Sequence, residues 1–502
     1  MSLRDQITDA VRQLTPTGGT AERAVKGFVW VMGQNVFGRV LQLSLLVILA
    51  RFIGPTGIGL IGIALLVLSG LRKFTDIGLN AALIYDRDDN VDHYLDTVWV
   101  LEIGRGLLIT VVVFLTAPLI SSFFSEPNAT DIIRVMSLSP LLYGLRNPGV
   151  VYFQKELEFH KQFLYQVGTQ IVRFVVGIGA VLVTPTAWAY VVAFLVADAA
   201  RTLFSYGIHE YRPWPRFDLD AARNLIDYGK WVTGSSIVYF LYSEGDDAFV
   251  GWLLSPAALA FYQYGYRFSN APATEFSQVL SNVMFPALSQ MQDDTDRLRN
   301  AFLETLRMTS FIAFPAALGI AAIAPSFVRA FLGEQWAPMI LAMQILAIYG
   351  LLRAVGKTFS PVWRAVGRPD IATKLGVVRL VLIAILIYPL TTEFGIAGTA
   401  LTVTLVSIFP LTVIDMYITK DIIDTTFLRI AYEFLYPSVA SAFMFGCVWA
   451  VHLEVTTAPI IEFVLLIVVG IVTYVGAVAA LESQFEWGIR QNVQTVVTNV
   501  QK

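Results

Sequence analysis

Thirteen basic residues fall inside the long apolar stretches of this 502-residue chain: Arg39, Arg72, Lys73, Arg105, Arg134, Arg146, Arg173, Arg201, Arg267, Arg307, Arg353, Lys357 and Arg379. Most are arginines. A guanidinium keeps its proton and presents donors in a planar fork, which suits bidentate recognition of a phosphate or a carboxylate. At mid-bilayer each would cost roughly 2.5 to 3.5 kcal/mol. So many charges cannot face lipid, and they demand a wet, polar interior.

Part of this charge can be neutralised along single helices. Arg72 and Asp76 are spaced i,i+4, while Glu102 and Arg105, Asp198 and Arg201, and Glu304 and Arg307 are spaced i,i+3. Such spacings predict self-pairing, and Arg134, near a segment end, is expected to snorkel. Seven cations remain with no acid one turn away: Arg39, Arg146, Arg173, Arg267, Arg353, Lys357 and Arg379. These are the candidate substrate-binding residues. Asn35 and Gln42 share the face of Arg39, and Gln263 and Asn270 share that of Arg267, giving candidate supporting polar groups. The plainer reading of any one of them is interhelical ion pairing, which is harder to sustain for the whole set. Glu275, Asp198 and Asp415 are candidates for carrying a coupling ion, a proton or sodium. Tyr239, Phe240, Tyr242, Phe261, Tyr262, Tyr264, Tyr266 and Phe268 crowd the region. They could stack on sugar rings, although helix packing is the better reading.

Other chemistries have little support. Cys447 is the only cysteine, and His93, His160, His209 and His452 lie at or near segment ends without paired-ligand spacing. They are read as solvated loop or interface residues, and neither a metal nor a cofactor is expected. A net charge of −3 with no Lys/Arg tract argues against nucleic acid as a partner.

The elements that must position these groups follow from composition. Hydrophobic residues make up 56% and charged residues 15%, against about 25% charged in an average soluble domain; the mean hydropathy is +0.64. The expected fold is an all-α polytopic membrane protein. At roughly 20 apolar residues per span, fourteen spans are predicted: 24–52, 57–84, 95–124, 130–153, 162–184, 187–208, 223–250, 256–288, 300–332, 337–363, 371–391, 394–419, 427–452 and 458–481. Breaks fall at Gly54-Pro55, Glu126-Pro127-Asn128, Thr184-Pro185, Ser255-Pro256, Arg368-Pro369-Asp370 and Ala458-Pro459. The first 23 residues lack an apolar h-region, so no cleaved signal peptide is expected. Alternate loops carry twenty Lys and Arg on one side and only Arg51 and Arg329 on the other. By the positive-inside rule both termini are cytoplasmic.

The halves also resemble each other. Tyr143-Gly144-Leu145 recurs as Tyr349-Gly350-Leu351, and the same offset places Val172-Arg173 on Val378-Arg379; Gly33 and Pro55 recur as Gly234 and Pro256. The expected organisation is a cytoplasmic segment 1–23, a first lobe of six spans 24–208, a linker 209–222, a second six-span lobe 223–419, two extra spans within 420–482, and a tail 483–502. An even number of spans per repeat leaves the lobes in one orientation, related by an axis along the membrane normal.

Four stretches carry a family resemblance. Asp247–Tyr262 (DAFVGWLLSPAALAFY), Val283–Asp294 (VMFPALSQMQDD), Phe153–Phe159 (FQKELEF) and Ala50–Leu60 (ARFIGPTGIGL) are similar to motifs of Wzx-type polysaccharide exporters, with Ala260-Phe261 standing where the family has a glycine before Tyr262. These belong to the multidrug/oligosaccharidyl-lipid/polysaccharide (MOP) exporter superfamily, and the resemblance covers about residues 20 to 480. It implies a V-shaped pair of six-helix lobes around a central cavity. It also implies alternating-access flipping of a lipid-linked oligosaccharide from the cytoplasmic to the outer leaflet, by a non-enzymatic monomer in the cell membrane whose partners are that substrate, membrane lipids and a coupling ion. It supplies no fixed substrate residues, so the candidates rest on the charge argument. The rival within the fold is a multidrug exporter, which would want a less cationic cavity. The rival outside it is an oligosaccharide ligase or polymerase, which would want a sizeable outer domain with an acid–base constellation.

Overall fold

The computed structural model describes residues 20–76, 78, 92–455 and 457–485, and every regular element among them is helical. Helix α1, Thr20–Phe74, runs for 55 residues. At about 1.5 Å per residue that is more than twice the ~30 Å hydrocarbon core, and the chain breaks it at Gly54 (φ 79, ψ 170). Only glycine adopts this backbone cheaply, and Pro55 then opens the second arm, where a missing N–H does no harm.

After α2 (Asp92–Phe123) comes a departure from the expected pattern. The span predicted over 130–153 is not one helix but a chain of short pieces: α3 (Ala129–Met136), α4 (Ser139–Gly144), a 3-10 turn (Pro148–Val151) and α5 (Tyr152–Lys155). The cause is local. Asn147 is extended (φ −66, ψ 118), and its side-chain oxygen accepts from the Gly149 amide at 2.9 Å, so Asn147-Pro148-Gly149 forms a turn that ends the helical run. Glycines let α2 and α4 approach backbone to backbone. A Cβ at Gly106 would lie 2.4 Å from the Pro140 carbonyl oxygen, and one at Gly144 2.4 Å from that of Glu102. Helices α6 (Phe159–Val183) and α7 (Ala187–Ile208) follow, then α8 (Leu219–Leu253) and α9 (Pro256–Ser289).

The second half contains α10 (Thr295–Phe327), α11 (Ile340–Ala365), α12 (Asp370–Val406), α13 (Val413–Ile422), α14 (Phe427–Glu454) and α15 (Pro459–Phe485). Like α1, the stretch Asp370–Ile422, α12 continued through α13, is long enough for two spans. It folds back at Gly395 (φ 57, ψ −139), where the Thr391 and Thr399 hydroxyls hydrogen-bond at 2.8 Å. Between α12 and α13, Phe409 leaves helical geometry (φ −137, ψ 120) ahead of Pro410. Phe302, Phe359, Val362, Trp363 and Ile430 form the centre of an apolar cluster joining α10, α11 and α14. Nine described stretches are long and apolar enough to cross a membrane, two of them long enough to cross twice.

The described residues fall into two compact units that divide between Ala260 and Phe261, in the first turns of α9. Helix α8 packs with the first unit, where Ser69 donates to Glu244 at 3.1 Å. The linker is tied down too. The Tyr211 hydroxyl and the Trp214 amide both donate to Asp96 Oδ1, at 2.7 and 2.8 Å, and the Asp218 amide donates to Thr97 Oγ1 at 3.1 Å.

Candidate functional site

In the first unit the charged side chains gather around Asp198, a buried residue on α7. Arg173 on α6 reaches it at 3.5 Å and Arg201, one turn along α7, at 3.8 Å. The Ser139 hydroxyl at the start of α4 donates to its other oxygen, and Ser139 in turn contacts Arg72 Nη2 at 2.5 Å. Arg72 also lies over the ring of Tyr143, 5.7 Å from its centroid, and Arg146 covers the same tyrosine at 4.0 Å. Nearby on α2, Arg105 pairs with Glu102 at 3.1 Å and lies 3.7 Å from Asp76. Among the described residues Arg173 and Arg201 thus share Asp198, Arg105 lies against Glu102 and Asp76, and Arg72 and Arg146 lie over Tyr143, so arginines crowd this part of the first unit.

Two self-pairings expected from spacing are corrected. Arg72 turns to Ser139 and Tyr143, while Asp76 lies against Arg105. Arg307 binds Glu433 on α14 through two hydrogen bonds of 2.7 and 3.1 Å rather than closing on Glu304. In each case a helix packed alongside offers a better-aligned partner than the same helix one turn away. Sequence reasoning therefore set aside Arg72, Arg105 and Arg201, which belong to the cluster. The available signal was the surplus of arginine over acid within these segments, which pairwise spacing hides.

The remaining first-unit candidates lie on the first arm of α1. Arg39 donates to Gln42 at 3.2 Å, and Asn35 is exposed one turn before it.

In the second unit, Arg353 on α11 hydrogen-bonds the Tyr266 hydroxyl and lies over the Tyr266 and Tyr349 rings at 5.6 and 5.8 Å. Lys357 is half-buried one turn further along α11, and Gln263 and Arg267 are half-buried on α9. Asn270 is buried and donates to the Tyr266 carbonyl at 3.1 Å. Asp415 on α13 lies within the electrostatic reach of Arg379 on α12. The side chain of Glu275 lies outside the described residues. Of the aromatic residues, Phe261 and Tyr264 pack on Trp336, at 5.7 and 4.8 Å between ring centroids.

Both units share one device. The tyrosine of each Tyr-Gly-Leu motif is covered by an arginine, Arg146 over Tyr143 and Arg353 over Tyr349. Of the arginines that the repeat equates, Arg173 pairs with Asp198 on the following span, while Arg379 influences Asp415 on its following span only at longer range.

The histidines differ from expectation. His452 Nδ1 lies 2.5 Å from Glu462, which also accepts from Ser326 at 2.6 Å, so this histidine belongs to a buried polar knot. His209 stacks on Tyr152 at 5.7 Å, and its Nδ1 accepts from the Tyr211 amide. His160 is half-buried, and His93 has no described side chain. No group of three metal-ligating side chains occurs among the described residues.

Comparison with solved structures gives the class. The fold matches that of "Lipid II flippase MurJ, inward closed conformation" with a TM-score of 0.74 and 15% identity, covering 91% of this chain and 99% of the other. It matches an inward-facing multidrug resistance MATE family transporter of the MOP superfamily with a TM-score of 0.60 and 15% identity, over 81% and 94% of the two chains. The chain therefore shares the fold of these two transporters. The model of the family described as "Polysaccharide biosynthesis protein" matches residues 48–341, and the chain belongs to that family. Among curated proteins it is 29% identical over 361 residues to "Lipopolysaccharide biosynthesis protein WzxC" of Escherichia coli (strain K12), covering 71% of this chain and 73% of that one.

Proposed function

We propose that this protein flips a polyprenyl-(pyro)phosphate-linked oligosaccharide from the cytoplasmic to the outer leaflet by alternating access. Both termini are then cytoplasmic, the two six-span repeats form the moving parts, and Asp198, Asp415 or Glu275 carries the coupling proton or sodium. The observation that supports this reading is the gathering of Arg72, Arg173 and Arg201 around Asp198 and Ser139, with Arg353 held over Tyr349 in the second unit. An unpaired phosphate in hydrocarbon is prohibitively costly, and fixed guanidiniums offset that desolvation. The isoprenoid tail needs no such help and stays in lipid. Arg39, Arg146, Arg173, Arg267, Arg353, Lys357 and Arg379 hold the phosphate and sugars in this scheme, supported by Asn35, Gln42, Gln263 and Asn270. The names of the flippase and lipopolysaccharide relatives agree with it.

The same fold serves multidrug resistance, but a cationic interior repels the organic cations that such a transporter would carry. The test is reconstitution into liposomes with a fluorescent polyprenyl-diphosphate glycan. Protein-dependent loss of accessibility to an external glycosidase is expected, with no ethidium transport. Ethidium transport with an immobile glycan lipid would reverse the assignment.

A further inference from the structure

The broken span of the first unit and the start of α6 line a half-open cavity of about 230 Å³. Its wall is built from three neighbouring pieces of chain. Tyr143 and Arg146 come from α4 and the turn after it, Val150, Val151, Phe153 and Gln154 from the 3-10 turn and α5, and Gln162, Tyr165 and Gln166 from the start of α6. On α6 the spacing of 162, 165 and 166 sets these side chains on one face. The composition is unusual for a membrane helix interface, with three glutamine amides, two tyrosines and one arginine above an apolar floor. Phe153 and Tyr165 are buried, and Gln162 Oε1 is shut off from solvent with no hydrogen-bond partner among the described residues. A buried acceptor left without a donor costs about 1–3 kcal/mol, so the pocket is built to receive a donor.

From this we infer that the cavity binds one anionic sugar residue of the transported glycan. The inference rests on the flippase reading and names which part of the substrate is read. Side-chain amides offer paired donors and acceptors that match vicinal hydroxyls, and the aromatic and valine surfaces suit the C–H face of a pyranose ring. Arg146, held over Tyr143 at 4.0 Å, supplies the charge for a carboxylate. Size limits the occupant. Ligand pockets for drug-sized molecules run from about 300 to 1,000 Å³, so this one takes a single ring rather than an oligosaccharide. Its lining comes from the end of the predicted fourth span, the residue before Lys155 and the start of the fifth span, next to the loop bearing Lys155 and Lys161 on the side that the Lys/Arg count assigns to the cytoplasm. There it would sample the headgroup before transport. The central arginines handle the phosphate common to all such lipids, and this pocket selects the sugar.

The test uses the full-length protein in nanodiscs and saturation-transfer NMR with D-glucuronate, D-glucose and inorganic phosphate as probes. Glucuronate is expected to bind about tenfold tighter than glucose, because only the acid makes a charge-assisted bond. Arg146→Gln should erase that difference, and Gln162→Leu should weaken both sugars. Gln154→Ala changes an exposed residue and should weaken both without disturbing the fold, which guards against a misfolded α6 variant. Equal binding of glucose and glucuronate, phosphate binding as tight as glucuronate, or wild-type affinity in all three variants would each overturn the inference. Parallel transport assays separate the two levels. Glycan-lipid flipping without glucuronate binding removes the pocket alone, while variant-sensitive glucuronate binding without flipping keeps the pocket and removes the flippase reading.

Discussion

Arg173 faces Asp198 across α6 and α7 at 3.5 Å, and the carboxylate it meets is buried and shared with Arg201 and Ser139. Asp198 is therefore a hub. It holds two guanidiniums in place while leaving each with donors to spare, which is the arrangement a transient anion needs. In the second unit Asp415 lies within electrostatic reach of Arg379.

Removing the hub should be costly. Asp198→Asn leaves Arg173 and Arg201 without their shared counter-charge, and breaking a buried pair of this kind costs about 3 kcal/mol or more. The expected result is a clear drop in the thermal unfolding midpoint of the purified protein. An unchanged midpoint would mean that the carboxylate does not organise the cluster.

Charge alone should not suffice at Arg173. Arg173→Lys keeps the charge but loses the planar fork that can hold Asp198 and an incoming oxyanion together. Glycan-lipid flipping in liposomes should fall about tenfold or more, the equivalent of one charge-assisted hydrogen bond, while the amount of folded protein stays the same. Wild-type flipping by the lysine variant would count against bidentate binding.

The pair in the second unit should behave as a structural pair. Glu433 is fully buried and takes two hydrogen bonds from Arg307. Glu433→Gln should destabilise by about 3–5 kcal/mol, read as early thermal aggregation, while the surviving folded fraction keeps its choice of substrate. A shift in substrate preference instead would place this pair in the transport route.

Backbone closeness gives the sharpest steric prediction. A Cβ at Gly398 would lie 1.8 Å from the Leu390 carbonyl oxygen, inside the hairpin closed by Thr391 and Thr399. Gly398→Ala should abolish accumulation of folded protein, measured as loss of the monodisperse peak in detergent chromatography. Gly446→Ala, where a Cβ meets nothing within 4 Å, should leave that peak intact.

How far the sequence could be read depended on the kind of signal. Membrane class, the all-helical fold and the glycine–proline break at Gly54-Pro55 were legible, because hydrocarbon thickness and backbone sterics act locally. The break inside the fourth span was missed, since hydropathy averages over Pro140 and the Asn147 turn. Pairing partners were the least legible. Spacing predicted Arg72 with Asp76 and Arg307 with Glu304, whereas packing delivered Ser139 and Glu433. A helix-spacing rule sees only one helix, and these contacts join residues 67 and 126 positions apart. His452 was misread for the same reason, because its partner Glu462 lies on the next span.

The most direct test is genetic. A strain lacking its own glycan-lipid flippase is given the gene carrying Arg39→Ala, Arg173→Ala, Arg267→Ala and Arg379→Ala together. Removing these intramembrane cations should abolish surface glycan while the protein still reaches the membrane at normal levels. Full restoration of surface glycan by the quadruple variant would contradict the claim that these intramembrane arginines carry the phosphate across.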